Sequence, residues 1–229
     1  MKVVIFGATG MVGKGVLLEC LDDPRVESVL VVVRSPIGVS YPKLCEIIHE
    51  DFFDISGIQT QFADLDACFF CIGVSSVGMS KADYHHATYD LTVAAARVLA
   101  AATSGRLTFC YVSGEGTDST ERGSTAWART KGMTENALLR MPFKAAYMFR
   151  PAYIEPLRGI RSKTMWYQAM YSVVGVFYPL IRRLLPRSVT TTVNVGRAMI
   201  QAAAGGYSKH ILLTEDINRL AAVAEGSRT

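Results

Sequence analysis

The feature that most constrains this chain sits within its first residues. A short run of apolar, β-favouring side chains, Lys2 to Phe6, leads directly into Gly7-Ala8-Thr9-Gly10-Met11-Val12-Gly13, and a segment of helical period follows from Met11 to Leu21. In that segment Val12, Val16, Leu17 and Cys20 share one face, and Pro24 marks its end. Glycines at this spacing between a strand and a helix answer three steric demands. Gly7 permits the tight turn, Gly10 lets backbone N–H groups approach a phosphate, and Gly13 lets the helix pack closely on the sheet. The helix N-terminus then offers its open amides and positive dipole end to an anion. With these flanks the turn reads as a dinucleotide fingerprint, against the plainer reading of glycines that serve only the turn.

The rest of the chain alternates short apolar runs with helical segments, the pattern of a parallel sheet covered by helices. Ser28 to Val33 is apolar almost throughout, as a strand buried on both faces should be. Leu44 to His49, Ala67 to Ile72, Leu107 to Val112 and Ala145 to Phe149 read as further strands. An alanine-rich helix is expected from Lys81 to Ala102, stopped at Ser104-Gly105, and another from Thr125 to Leu139. Beyond Arg150-Pro151 the alternation breaks. A loop with basic residues, an uncharged stretch, a turn at Thr190, Thr191 and Thr192, a helix near Val195 to Ala204 and a last strand at His210 to Thr214 follow. The expectation is a single α/β domain over residues 1–229, with a nucleotide-binding core at 1–155 and a small substrate-side lobe at 156–209 before the last strand.

At the end of the second strand an acidic side chain would accept both ribose hydroxyls of NAD. Val33-Arg34-Ser35 supplies none. Arg34 suits instead the 2′-phosphate of NADP through charge-assisted, bidentate hydrogen bonds, so NADP(H) is favoured while NAD(H) stays open. The alternative for Arg34 is a solvated strand-end residue.

Composition excludes several classes. A chain of 229 residues that is 50% hydrophobic and 19% charged is neither disordered nor fibrous. A net charge of +4, with no long basic tract, makes no footprint for nucleic acid. The five cysteines are odd in number and scattered, which suits packed, free thiols in a reducing compartment. Cys68 and Cys71 have the spacing of a redox or zinc pair but would point to opposite faces of a strand, and adjacent His85 and His86 do not converge on one ion, so no metal is expected. The N-terminal apolar run is too short for a secretory signal, which makes a cytoplasmic location the expectation. Met165 to Ile181 carries no formal charge, yet is shorter than the roughly 20 residues of a spanning helix.

Further motifs lie at the strand ends: Asp51-Phe52 after the third, Cys71-Ile72-Gly73 at the fourth, Ser113 at the fifth, Lys131 on the following helix, and Arg150-Pro151 after the sixth. With these motifs the chain resembles the atypical or extended short-chain dehydrogenase/reductase superfamily, of the NAD-dependent epimerase/dehydratase type, over about residues 1–155. Within it, the Phe-Arg-Pro-Ala-Tyr-Ile segment is similar to the Tat-interacting-protein oxidoreductases. The resemblance implies a Rossmann-type doubly wound parallel sheet and a nicotinamide cofactor at its C-terminal edge. By position, Gly7, Thr9, Gly10, Met11, Val12 and Gly13 would line the pyrophosphate, and Arg34 the 2′-phosphate. Asp51 and Phe52 would border the adenine, and Cys71, Ile72 and Gly73 the adenosine ribose. Lys131 would hold the nicotinamide ribose, the backbone of Pro151, Tyr153 and Ile154 would face the nicotinamide, and Ser113 would polarise a substrate carbonyl.

The reductases of that superfamily place a tyrosine one helical turn before the lysine to pass a proton to the carbonyl oxygen. Here Trp127 stands four residues before Lys131, on the same helix face, and an indole N–H does not serve as an acid. Either another hydroxyl takes the role, with Tyr153, Tyr111, Tyr84 or Ser113 as candidates, or the protein binds its cofactor without turnover. Three readings follow: an oxidoreductase acting on a small carbonyl or hydroxyl compound, a non-catalytic NADPH sensor or regulatory partner protein, and a nucleotide-sugar epimerase. Arg158, Arg161 and Lys163 before the uncharged stretch and Arg182, Arg183 and Arg187 after it, with Trp166, Tyr167, Tyr171 and Tyr178 between, mark 160–187 as a lid, a homodimer or protein contact, or a membrane-surface contact.

Overall fold

The computed structural model describes residues 1–160 and 188–226. The N-terminal run is β1 (Lys2–Phe6), and the glycine turn opens α1 (Met11–Asp22). Then come β2 (Ser28–Val33), β3 (Leu44–Ile48), a 3-10 segment (Ser56–Phe62) and β4 (Ala67–Phe70). The alanine-rich segment is helical, as its period requires, but in three parts: α2 (Lys81–His85), a π-helical turn (His86–Asp90) and α3 (Leu91–Ala102). Ser80 caps it, its Oγ accepting from Asp83 N–H at 3.1 Å. β5 (Thr108–Val112), α4 (Ala126–Leu139), β6 (Ala145–Arg150) and β7 (Tyr153–Glu155) complete the first described part. The second holds β8 (Val189–Thr191), α5 (Thr192–Gly205), β9 (Ile211–Leu213) and α6 (Thr214–Gly226).

Seven strands form one sheet in the order β3-β2-β1-β4-β5-β6-β9, every neighbouring pair parallel. β7 and β8 make a separate two-stranded parallel sheet. Side chains alternate across the large sheet, so each inner strand feeds two cores. Val3 and Ile5 pack with Val16 and Leu17 of α1, Val195 and Met199 of α5, and Ile217 and Leu220 of α6. Val4 and Phe6 pack on the other face with Phe62, Leu99 of α3 and Leu138 of α4. Burial on both faces is the physical reason the strands read as unbroken apolar runs. Cys68 and Cys71 fall on opposite sides in the same way.

Three differences from the sequence expectation have identifiable causes. The last strand is shorter than His210 to Thr214, because Thr214 instead opens α6, with Glu215 and Asp216 in the first turn. Its buried Ile217, Leu220, Ala221 and Ala224 follow a helical period that was present in the sequence. The threonine-rich turn is β8 followed by the start of α5, where Thr191 Oγ1 accepts from Asn194 N–H at 3.0 Å. Cys45 is exposed on β3, an edge strand, while Cys20, Cys68 and Cys110 are buried and all five thiols are free. Of the expected 156–209 lobe, the described α5 shares its core with β1 and α1. The uncharged stretch Met165 to Ile181, with Arg161, Lys163, Trp166, Tyr167, Tyr171, Tyr178, Arg182, Arg183 and Arg187, lies outside the described residues.

Candidate functional site

The chain leaves β1 in one direction for β2 and β3, and returns beside β1 as β4 before continuing outward through β5 and β6. The carboxyl ends of strands on either side of such a reversal diverge and leave a crevice, where open α/β sheets bind ligands. Gly7, Arg34, Cys71, Ser113 and Pro151 each follow directly, or within one residue, the end of a strand along this edge.

Gly7 has φ +82°, and a Cβ there would lie 2.8 Å from the Cys71 carbonyl carbon and the Ile72 nitrogen. Gly10 N–H donates to the Gly7 carbonyl at 2.9 Å, closing the turn. A Cβ on Gly13 would lie 2.1 Å from that same carbonyl oxygen, so α1 can pass this close only with a hydrogen there. At the helix start, Gly10 provides no side-chain cap and the first turn holds no acidic residue. The opening amides of α1 are thus left for an external anion.

A hollow of about 490 Å³ opens beside this turn. Its walls include Gly7, Thr9, Gly10, Arg34, Phe52, Phe53 and the run Cys71 to Val74, with Ala87 and Leu91 opposite. Arg34 is exposed on this wall and makes no ion pair among the described residues. Phe52 borders the hollow while its ring meets Phe6 edge-on at 6.1 Å. Met11, Val12 and Gly13 are not on the wall; they contribute the start of α1, and Val12 packs against the core. Asp51 is also off the wall, its Oδ1 accepting from Phe53 N–H at 2.8 Å. Phe53, Val74, Ala87 and Leu91 had no sequence signal, since apolar residues in a loop or helix do not announce which surface they will meet.

A second hollow, of about 530 Å³, meets the first at Val74. Ser75, Ser76, Tyr84, Ser113, Glu115, Trp127, Lys131, Pro151 and Tyr153 line it. Trp127 and Lys131 share this wall, as their spacing on α4 requires. Ile154 is buried and is not part of the wall. The Lys131 ammonium donates to the Ser113 carbonyl oxygen. Burial pushes its pKa down to about 8, although the Glu135 carboxylate pulls the other way.

Behind this wall is a network that sequence reading did not reveal. Glu135 on α4 is fully buried and ion-paired with Arg150 at the end of β6. Arg150 also donates to Ser119 Oγ at 2.5 Å. Ser113 Oγ donates to Glu135 Oε1 at 2.5 Å and lies 3.2 Å from the Phe149 carbonyl oxygen. The hydroxyl proton of Ser113 therefore points at a protein carboxylate. Tyr111 lies in the core rather than on the wall, and burial raises its phenol pKa far above the ordinary value. Tyr84 and Tyr153 are the tyrosines on the described wall, and burial followed by the Glu155 charge raises the Tyr153 pKa.

Burial likewise pushes the Cys71 thiol up to about 12, so it stays protonated beside the crevice. His85 and His86 both approach Asp90, at 3.8 and 2.9 Å. Among the described residues there is no cluster of three or more His, Cys, Asp or Glu side chains arranged to hold a metal. Among the same residues no helix is long and apolar enough to cross a membrane.

No family model and no curated protein sequence matches the chain. Solved structures match across nearly all of it. The Bordetella bronchiseptica enzyme WbmH, solved with NAD+, is 14% identical over 92% of this chain and 74% of its own, with a TM-score of 0.64. A reductase engineered for asymmetric catalysis is 12% identical over 93% and 78%, with a TM-score of 0.68. The Helicobacter pylori ADP-L-glycero-D-manno-heptose-6-epimerase is 12% identical over 98% and 81%, with a TM-score of 0.66. At such identities the likeness is one of fold. The chain has the Rossmann-type α/β fold that its glycine turn and strand-end motifs imply.

Proposed function

We propose that the chain is an oxidoreductase of the extended short-chain dehydrogenase/reductase superfamily that binds NADP(H) and interconverts a small carbonyl compound and its alcohol. The observation that carries this reading is the continuity of the two hollows. One end has a glycine cradle and an open helix N-terminus, suited to a pyrophosphate, and the other has Ser113, Lys131 and two tyrosines. The cradle fits a dinucleotide because Cβ atoms at Gly7 and Gly13 would fill it. Arg34, exposed on the wall, supports NADP(H) over NAD(H). WbmH, solved with NAD+, supports a nicotinamide cofactor, the reductase supports an oxidoreductase, and the heptose epimerase keeps an epimerase as the neighbouring alternative.

When bound, the nicotinamide supplies or takes up hydride. Lys131, mostly protonated at neutral pH, would hold the ribose hydroxyls from the wall of the second hollow. Tyr153 replaces the missing tyrosine as proton donor to the carbonyl oxygen, although burial and the Glu155 charge raise its pKa and so make it a weaker acid than a free phenol. Ser113 orients the substrate oxygen, which requires its hydroxyl to leave Glu135 when it donates to a carbonyl. The division into a 1–155 core and a 156–209 substrate-side lobe belongs to the same proposal. A cytoplasmic setting, and a homodimer or partner contact through 160–187, rest on sequence alone, as does the narrower likeness to the Tat-interacting-protein oxidoreductases.

The test follows NADPH absorbance against a panel of aldehydes and ketones, for wild type, Ser113→Ala, Lys131→Ala and Tyr153→Phe. Turnover in wild type that falls at least tenfold in each variant supports the reading. Tight NADPH binding with no turnover across the panel supports instead the sensor reading, which the commitment of the Ser113 proton to Glu135 and the presence of Trp127 both favour.

A further inference from the structure

The second hollow carries a charge that carbonyl chemistry leaves unused. Glu115 sits just beyond β5, on a turn whose backbone is fixed from both sides. Its N–H donates to the Pro151 carbonyl at 2.9 Å, and Thr117 Oγ1 donates to the Gly114 carbonyl at 2.7 Å. The flanking Gly114 and Gly116 have φ of +122° and +82°, the left-handed region that favours glycine, so the chain can turn sharply around this one residue. The Glu115 side chain is exposed on the wall of the hollow, and its carboxylate has no hydrogen bond or ion pair among the described residues.

The other charges here are already matched. The Lys131 ammonium is bonded to the Ser113 carbonyl oxygen, and the Arg150 guanidinium behind it is paired with Glu135. Aromatic side chains share the wall with Glu115. A Cβ on Gly116 would lie 3.1 Å from Cη2 and 3.7 Å from Cζ2 of Trp127, so the indole closes on the backbone next to Glu115. Tyr84 and Tyr153 line the same hollow. A carboxylate beside an indole selects one ligand chemistry, an organic cation. The carboxylate attracts its charge directly, and the indole attracts it through the ring quadrupole, most strongly of the aromatic side chains. An anionic ligand would be repelled by Glu115, and a neutral one would gain nothing from it.

We propose that Glu115 and Trp127 form a subsite for a positively charged nitrogen, and that the substrate is a small carbonyl compound carrying an alkylammonium group. The inference rests on the oxidoreductase reading above for the carbonyl, and adds the charge of the substrate and the residues that select it. Trp127, at the position of the missing tyrosine, then binds the substrate instead of donating a proton to it. Reduction moves a hydride from NADPH to the carbonyl carbon and a proton to its oxygen, giving the alcohol and NADP+, and leaves the ammonium group unchanged as a handle.

Trimethylammonioacetaldehyde and 3,3-dimethylbutanal share a shape and differ in charge. Their alcohols, choline and 3,3-dimethylbutan-1-ol, report binding to the full chain by calorimetry without turnover. Wild type is expected to favour the charged member of each pair roughly tenfold, in affinity and in kcat/KM with NADPH. Glu115→Gln, at an exposed position that tolerates substitution, is expected to cut that preference roughly fivefold, and Glu115→Lys to reverse it. Trp127→Phe, which keeps a ring with a weaker pull on a cation, is expected to cut it roughly twofold. The preference should shrink as salt is raised. Equal handling of charged and neutral partners by wild type, or a preference that survives Glu115→Lys, overturns the inference and leaves the carbonyl reading intact. Choline binding that depends on Glu115, with neither aldehyde reduced, supports the cation subsite and overturns the carbonyl reading.

Discussion

The two hollows along the sheet edge are built from different materials. The first is shaped by backbone: a positive φ at Gly7, the closed Gly7–Gly10 turn, and a Gly13 that tolerates no side chain. The second is shaped by side chains that already bond to one another, with Lys131 on the Ser113 carbonyl, Ser113 on Glu135, and Glu135 on Arg150. A backbone cradle recognises what is common to all dinucleotides, their pyrophosphate, and leaves little to vary. A network of paired side chains has to be rearranged before its groups can meet a substrate, so under the proposed function the second hollow is where the chemistry would be decided.

That contrast can be broken most severely at Glu135. Glu135→Ala leaves Arg150 nearly buried without its carboxylate and frees the Ser113 hydroxyl, so chemical denaturation should report a loss of about 3–5 kcal/mol. Replacing both partners, Glu135→Leu with Arg150→Met, should recover most of that stability while leaving the second hollow without its network. At the backbone end, Gly13→Ala forces a methyl against the Gly7 carbonyl. The expected cost is about 1–3 kcal/mol in denaturant unfolding, together with loss of dinucleotide binding in calorimetry.

Arg34→Ala should be milder and selective. NADPH affinity falls roughly tenfold, about 1.4 kcal/mol, with NADH affinity unchanged, and equal effects on the two cofactors would remove the 2′-phosphate role. A pH-dependent effect concerns Lys131. Its folded pKa, about 8, lies below the ordinary 10.5, so the unfolded chain binds the proton more tightly. Stability therefore carries a penalty below about pH 8 that is relieved as pH rises toward 10.5. Unfolding free energies compared at the two ends of that window should rise more with pH in wild type than in Lys131→Met.

Much of the scaffold was legible because its causes are local. The inner strands β1, β2, β4, β5 and β6 are mostly apolar because both their faces are buried, and that pattern places them, whereas the edge strand β3 is only half-buried and carries Glu46. The glycine turn was equally plain, since its steric demands act within a few residues. α6 keeps a helical period in Ile217, Leu220, Ala221 and Ala224, but it begins at Thr214 directly after β9, so the short strand masks its start. β7 and β8 are each too short to announce themselves and exist by pairing across a long sequence interval. The placement of Trp127 and Lys131 on one wall followed from helix period, whereas nothing local connects Glu135 to Arg150 or Phe53 to His86.

By itself, then, the sequence determined the parallel sheet, the anion-ready turn and the absence of a tyrosine four residues before Lys131. These depend on residue type and on spacing within one element, where sterics and periodicity act directly. Only the tertiary structure decided that the Ser113 hydroxyl donates a hydrogen bond to Glu135, that Tyr111 lies in the core while Tyr84 and Tyr153 face the second hollow, and that Asp51 accepts from Phe53 N–H beside the first. Those outcomes depend on which side chains meet across strands and helices far apart in the chain. The direction of a hydroxyl or a ring is set there by packing and by the need of each buried polar group for a partner.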